Sequence, residues 1–327
     1  MTGHQTARQS LPKPAPRLTD RHPDETDVEV APRDTLLGRL GHDHLAVAGA
    51  VTIVMSVLAA LFAAGLSGLS GNDPFRYHLD ALDPTGAPAG WGGGIGAAHW
   101  FGVEPLTGRD LFSIVVHGSR TSLLVGVGAT AVAMLIGVAV GGTAGYFGGW
   151  FDAVASRVID VLFGFPGLIF MIAVGAIAPI WFPRVLMLVL VIGFFGWPSI
   201  ARVVRGQTLE MRTQGYVRAS AAIGAGHAHV LLRQILPGLT ATIVVFSTIT
   251  IPGTIGAEAA LSFLGVGVPP PTPSWGRSIG DAVTWFATDP FYLLFPGLAL
   301  FLVTLAFNVF GDGLRDALDP RSRGLGR

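Results

Sequence analysis

Ionisable and nucleophilic side chains are sparse in this 327-residue chain, so each candidate for chemistry can be weighed on its own. Gly65-Leu-Ser-Gly68 sets a serine between glycines, the surroundings of a nucleophile in an intramembrane serine protease. That chemistry needs a histidine in a later span to take the serine proton. No histidine is expected in any apolar span and none follows His229, so helix packing is the better account of these small residues. His227 and His229 invite a metal reading, but at this spacing on a helix they point to different faces, and no carboxylate or cysteine cluster joins them. No metal site and no cofactor are expected. The chain has no cysteine, which excludes disulfides, thiolate ligands and cysteine nucleophiles together. Its single lysine, Lys13, lies in a proline-rich stretch rather than at the end of a glycine-rich phosphate loop. Nucleotide that drives this protein must therefore be bound by another chain.

Two carboxylates fall in or beside apolar runs. Glu258 lies toward one end of a span, where a lone charge is costly, so it must be paired, protonated or exposed to a water-filled path. Structural and path-lining roles both stay open for it. Asp160 has Arg157 three residues before it on the same helical face, which predicts an interfacial ion pair.

The elements that would position these groups are set by composition. Half of the residues are hydrophobic, 13% are charged, and mean hydropathy is +0.57, whereas soluble domains carry about a quarter charged residues. The balanced net charge offers no field for nucleic acid, and no nucleic-acid partner is expected. A helix needs about 20 apolar residues to cross the hydrocarbon core. Charge-poor runs of that order occur near 45–69, 121–146, 161–182, 185–203, 239–265 and 291–311. The fold class expected is an all-α integral membrane protein of about six transmembrane helices, in contact with membrane lipid. A tight turn with Pro183 and Arg184 should join the third and fourth spans.

Residues 1–40 are polar and proline-rich with no hydrophobic period, and read as a disordered tail. Residues 41–323 form the membrane domain, and 324–327 a short end. With the tail in the cytoplasm, that side holds 16 basic residues against five. Without the tail and the loop 70–120 the ratio is ten to two, which predicts both termini inside. The loops 70–120 and 266–290 are then external. In the first, the run Gly90 to Gly96 reads as a flexible loop; in the second, Pro269, Pro270, Pro271 and Pro273 followed by Trp275 predict a stiff cap.

Within the spans, Gly137, Gly141 and Gly145 at four-residue spacing allow another helix to approach closely. Pro166, Pro198 and Pro252 should kink or interrupt their helices. Ordinary packing is the simpler reading of these prolines; helices that bend along a translocation path are the sharper one.

The most informative segment is the loop 204–238. Gln214 to Ile223 has helix-forming composition, Gly224 breaks it, and a second amphipathic stretch runs from His227 to Leu236 and ends at Pro237. Two short helices joined at a glycine make a knob that suits a groove on a soluble partner.

This loop resembles the EAA loop of permease subunits in binding-protein-dependent ABC importers. The motif falls on Arg218-Ala219-Ser220, then Gly224-Ala225, then Leu236-Pro237. Its spacing is kept, while its acidic first residue is Arg218 here and its second alanine is Ser220. The acidic role is not carried over to Arg218; the Gly224 and Leu236-Pro237 positions are. Further stretches resemble the second permease type of the dipeptide and oligopeptide branch, a pattern largely shared by the nickel branch. They are His99 to Ser113, Gly145 to Asp152, Glu258 to Gly276 and Phe307 to Arg321. Val103-Glu104 stands where that family often has Thr-Asp.

The resemblance implies a subunit of a bacterial inner membrane that pairs with a second homologous permease to form the pore. It implies two cytoplasmic ATP-binding subunits, an extracytoplasmic substrate-binding protein, and a coupling role for the knob from Arg218 to Pro237. The subunit itself would break no bond. Peptides are the first expectation for cargo, nickel or another small solute the second. An ion-driven secondary transporter would carry more intramembrane carboxylates and a repeated half, and neither is evident.

Overall fold

The computed structural model describes residues 36–179 and 181–318. Lys13, most of the expected tail 1–40 and the end 324–327 lie outside the described residues. Helices α1 (Leu36–His42), α2 (His44–Leu61) and α3 (Ala63–Ser70) lead in. The Asp43 carboxylate caps α2 by accepting from the amides of Leu45 and Ala46. A long connection leads to α4 (Leu111–Phe147), followed by α5 (Gly149–Gly164), α6 (Gly167–Ile177) and α7 (Arg184–Met211). Then come the short α8 (Gly215–Ala222), α9 (His227–Val230), a π-helical turn (Leu231–Ile235) and α10 (Leu236–Gly238). The chain finishes through α11 (Thr240–Phe263), α12 (Trp275–Ala282) and α13 (Pro290–Leu318). Among the described residues there are only isolated β-bridges, Leu82 with Pro88 and Val103 with Asp110.

Five helices, α2, α4, α7, α11 and α13, are long and apolar enough to cross a membrane, and the pair α5 and α6 makes a sixth candidate. Three expected boundaries need correction. The second span begins at Leu111, well before 121, because Asp110 caps it: its carboxylate accepts from the Ser113 amide at 2.8 Å. At 37 residues, α4 extends about 55 Å and outreaches the hydrocarbon core of about 30 Å. The fourth span runs on past 203 to Met211, because its arginines find acids on α5 instead of ending the helix: Arg205 pairs with Asp152 and Arg202 with Asp160. Asp160 therefore bonds Arg202 at 2.9 Å rather than the expected Arg157. The third span is not straight; α5 and α6 meet at 82°. Pro166 forces this bend, since it lacks an amide hydrogen and drives Phe165 into extended backbone (φ −90, ψ 138). Pro198 and Pro252, expected to do the same, are buried inside α7 and α11, which stay helical through them.

Helices α4 and α7 form the spine of the bundle. The glycine stripe works as expected: a Cβ on Gly137 would meet Ile200 at 2.7 Å, one on Gly141 the Ala201 carbonyl oxygen at 2.4 Å, and one on Gly145 the Arg205 carbonyl oxygen at 2.7 Å. Backbone contact this close gives dispersion energy where lipid supplies no hydrophobic drive between helices. Gly49 does the same for α2 against Ala306 of α13. Helix α11 packs on α4 and α13 around Ile255, Leu111, Ile114 and Phe307. Residues 71–110 and 264–289 meet at one end of the bundle, the cap end, where Arg109 reaches the Pro271 carbonyl. The turn after α4 and the segment 212–239 lie at the other, the knob end.

Candidate functional site

The knob is a folded unit rather than a free loop. Helix α8 ends in a turn that glycine makes possible: Gly224 has φ +92, its amide donates to Ala221, and the Ala225 amide reaches back to the Ser220 carbonyl at 3.1 Å. The chain then re-enters helix at His227. Here the structure departs from expectation, because Pro237 does not end the second stretch. The backbone stays helical through the π turn and α10 and leads into α11. The wider π turn holds the carbonyl of Arg233, against which the Pro237 ring would otherwise clash. Val217, Val230, Ile235 and Leu239 are buried and pack on Ala133 and Met134 of α4 and on Ile200 and Val204 of α7. Gln234 donates to the Ser220 hydroxyl at 2.5 Å and closes the knob on itself.

Its outward side is apolar and basic. Ile223 at the tip is 87% exposed, with Tyr216 and Leu232 also exposed. Arg218 and Ala219 are exposed and Ala225 is half-buried. Arg218 makes no ion pair among the described residues; with Arg212, His227 and Tyr146 it lines an open cleft of about 420 Å³.

The knob is fastened to the spans by neutral and basic groups. Tyr146 at the end of α4 hydrogen-bonds His227 Nδ1 at 3.0 Å. Arg212 donates to the carbonyls of Gly145 and Tyr146 at 3.2 and 3.1 Å, satisfying the open C-terminus of α4. Thr242 of α11 donates to Gln207 of α7 at 2.7 Å. The knob thus packs on α4 and α7, runs on into α11, and the last two are tied to each other beside it. His227 and His229 do not gather a ligand set: no group of three or more potential metal ligands occurs among the described residues.

Comparison with known proteins bears on this arrangement directly. Residues 114–324 match the family described as the binding-protein-dependent transport system inner membrane component. The chain is also similar to the glutathione transport system permease protein GsiD of Escherichia coli O1:K1 / APEC, at 41% identity over 286 residues, covering 88% of this chain and 89% of that one. The same protein from Escherichia coli UTI89 and from Shigella boydii serotype 4 matches with the same identity and coverage. The chain belongs to this permease family. It is a membrane subunit of an ABC importer rather than an enzyme, working with an ATPase and a substrate-binding protein.

At the permease's cap end, the structure brings together residues that sequence reasoning left apart. Glu104 accepts from Arg109 Nε at 2.6 Å and Nη2 at 2.9 Å, from Thr107 at 2.5 Å and from the Tyr292 hydroxyl of α13 at 2.9 Å. Arg109 also donates to the Pro271 carbonyl at 3.1 Å, which joins both cap segments. Burial pushes the Glu104 carboxyl up, but the Arg109 hydrogen bonds and charge, with Thr107 and Tyr292, outweigh it and hold the group below its ordinary value. Asp281 of α12 ends on the other side of its ordinary value, because there burial outweighs the neighbouring Arg277 charge and holds the carboxyl up. Asp110 accepts from His99 Nδ1 at 2.9 Å as well as capping α4. Aspartate ahead of a long apolar run was a legible cap signal; nothing local linked Glu104 to Tyr292.

Two expectations at the permease's cap end are overturned. The run Gly90 to Gly96 is a packed turn, with left-handed backbone at Gly90, Gly92, Gly93 and Gly94. A Cβ on Gly93 would lie 2.4 Å from the Asp289 carboxylate, so glycine serves close approach rather than flexibility. And α4 does contain a histidine: His117 Nε2 lies 3.2 Å from Ser67 Oγ. The apolar run seemed to start later because Asp110 and Arg120 hid the true helix start. Among the described residues no carboxylate hydrogen-bonds this imidazole, and the Gly71 and Asn72 amides beside Ser67 are already engaged. The pair lacks the orienting acid and oxyanion donors that acyl transfer requires.

Proposed function

We propose that this permease forms half of a translocation path with a second homologous permease, and that two cytoplasmic ATP-binding subunits drive it through the knob. The observation that carries the reading is the knob itself: a Gly224-hinged pair of short helices with an exposed Ile223 tip, bonded to the end of α4 and running on into α11. Arg218, Ala219, Ser220, Gly224, Ala225, Leu236 and Pro237 form the coupling element, and 41–323 the permease domain. Rigid-body motion of these helices opens the path alternately to the two sides. Pro166, whose bend sets α5 against α6, belongs to the moving wall. The excess of arginine at the knob end supports a cytoplasmic knob and cytoplasmic termini. The substrate-binding protein delivers at the cap end. Because Arg218 occupies the motif's acidic position, the ATPase surface facing it is acidic.

For cargo, the relatives' named substrate points to glutathione or a similar short peptide. The test is reconstitution of the complete transporter in proteoliposomes with labelled glutathione. ATP-dependent uptake is expected, and Ile223→Asp is expected to abolish it and to release the ATPases on purification while leaving the fold intact. A complex that keeps its ATPases and its uptake with Ile223→Asp would sink the coupling assignment; ATP-dependent transport that ignores glutathione and short peptides would sink the cargo.

A further inference from the structure

Glu258 is fully buried in α11, at the cap end of the bundle. Its two oxygens are used separately. The Ser122 hydroxyl of α4 donates to Oε2 at 2.8 Å, and the Ser262 hydroxyl, one turn further along α11, donates to Oε1 at 2.7 Å. Each hydroxyl, having committed its proton to the carboxylate, presents lone pairs outward, and each receives a backbone amide from the cap. Val268 N donates to Ser262 at 3.2 Å, and Trp275 N donates to Ser122 at 3.4 Å. These two amides bracket the segment Pro269 to Ser274. Glycine lets that segment lie against the helices: a Cβ on Gly267 would sit 2.1 Å from the Ser262 hydroxyl, and one on Gly276 would sit 2.3 Å from the Ala259 backbone. Trp275 is fixed further by its indole donating to the Val115 carbonyl at 2.9 Å.

We infer that Glu258 is a positioning residue: through two serine relays it clasps the 264–275 segment onto α4 and α11, so that the cap and these helices move as one body. The carboxylate sets the polarity of both relays. With both oxygens accepting, as these two hydrogen bonds have them, both serines donate inward and accept outward. A glutamine replaces one acceptor oxygen with a donating NH2 group, so the serine facing it can no longer give its proton to residue 258 and that relay loses the bond that orients it. Helices α4 and α11 are the same two that the knob meets at their other ends, α4 through the Tyr146–His227 bond and α11 by running on into it through α10. The clasp therefore lies where a displacement started at the knob must either carry the cap or be lost. This inference rests on the coupling role proposed for the knob.

The experiment uses the complete transporter with Glu258→Gln, Ser262→Ala and Ser122→Ala, and with Ile223→Asp as the knob control. Two quantities are read: substrate imported per ATP hydrolysed, and amide hydrogen exchange across 264–275. The clasp predicts that Glu258→Gln assembles with its ATPases, raises exchange in 264–275 about tenfold, the loss of about one buried hydrogen bond, and lowers import per ATP several-fold while hydrolysis continues. Ser262→Ala removes one relay and gives a smaller effect of the same kind; it also keeps the test alive should Glu258→Gln fail to assemble. Unchanged exchange in 264–275, or raised exchange with an unchanged import-to-ATP ratio, overturns the clasp. If Ile223→Asp leaves transport intact, the knob assignment fails instead, and the exchange result still judges the clasp by itself.

Discussion

The two ends of this permease are held by different chemistry. At the cap end, charged groups are buried and saturated: Glu104 takes hydrogen bonds from Arg109, Thr107 and Tyr292, and Asp110 serves His99, Ser113 and Asn72. At the knob end, buried apolar side chains and a few exposed hydrogen bonds hold a surface that leaves Ile223, Tyr216 and Arg218 open. Buried charge fixes geometry, because breaking one partner strands the other. An exposed, lightly bonded surface costs little to shift and can meet a partner. The cap keeps its shape, while the knob leaves a surface open to a partner.

The sharpest way to break this contrast is Arg109→Ala, which strands the buried Glu104 carboxylate. It should destabilise the detergent-solubilised permease by about 3–5 kcal/mol, read as a fall in thermal midpoint. A loss below about 1 kcal/mol would show the cap to be no more rigid than the knob.

Acidification should separate the ends next. Glu104 is held below its ordinary value near 4.5, so its contribution is complete above that pH and drains away as pH falls through the lower folded value. Asp281, raised from 3.8, has the opposite sign: its contribution is complete below 3.8 and is lost as pH rises through the raised value. Hydrogen exchange below about pH 4 should therefore open the Glu104 segment before the knob. Opening in the reverse order would contradict the assignment of rigidity.

Smaller effects belong to the knob. Gly224→Ala forces a side chain into left-handed backbone, although no atom lies within reach of the new Cβ. The expected loss is about 1–2 kcal/mol of local stability, seen as faster exchange confined to 215–239. Smallest of all, Tyr146→Phe removes the bond to His227 and should change the thermal midpoint by the equivalent of only about 0.6 kcal/mol. Global unfolding from either variant would mean that the knob is part of the bundle's foundation.

Much of this was readable without coordinates where the cause is local. Gly137, Gly141 and Gly145 announced a close helix partner, and Gly224 the turn of the knob, because each depends on the absence of a side chain. The boundaries of α4 and α7 were misjudged for one shared reason. A charged residue in the sequence looks like the edge of a membrane span, yet Arg205 and Arg202 find Asp152 and Asp160 on a neighbouring helix and the chain stays helical. Pro237 misled in the same manner, since a π turn can absorb a proline that an α-helix would reject.

By itself the sequence determined that the chain spans a bilayer, where its helices can touch, and that a two-helix knob interrupts the spans, since hydropathy, glycine spacing and turn chemistry act over a few residues. Only the tertiary structure decided which charges are partnered. Glu104 meets Tyr292, Glu258 meets Ser122, and Ser67 meets His117 across long stretches of chain. An ion or hydrogen bond is chosen by proximity in space, and that proximity exists only after the helices have packed.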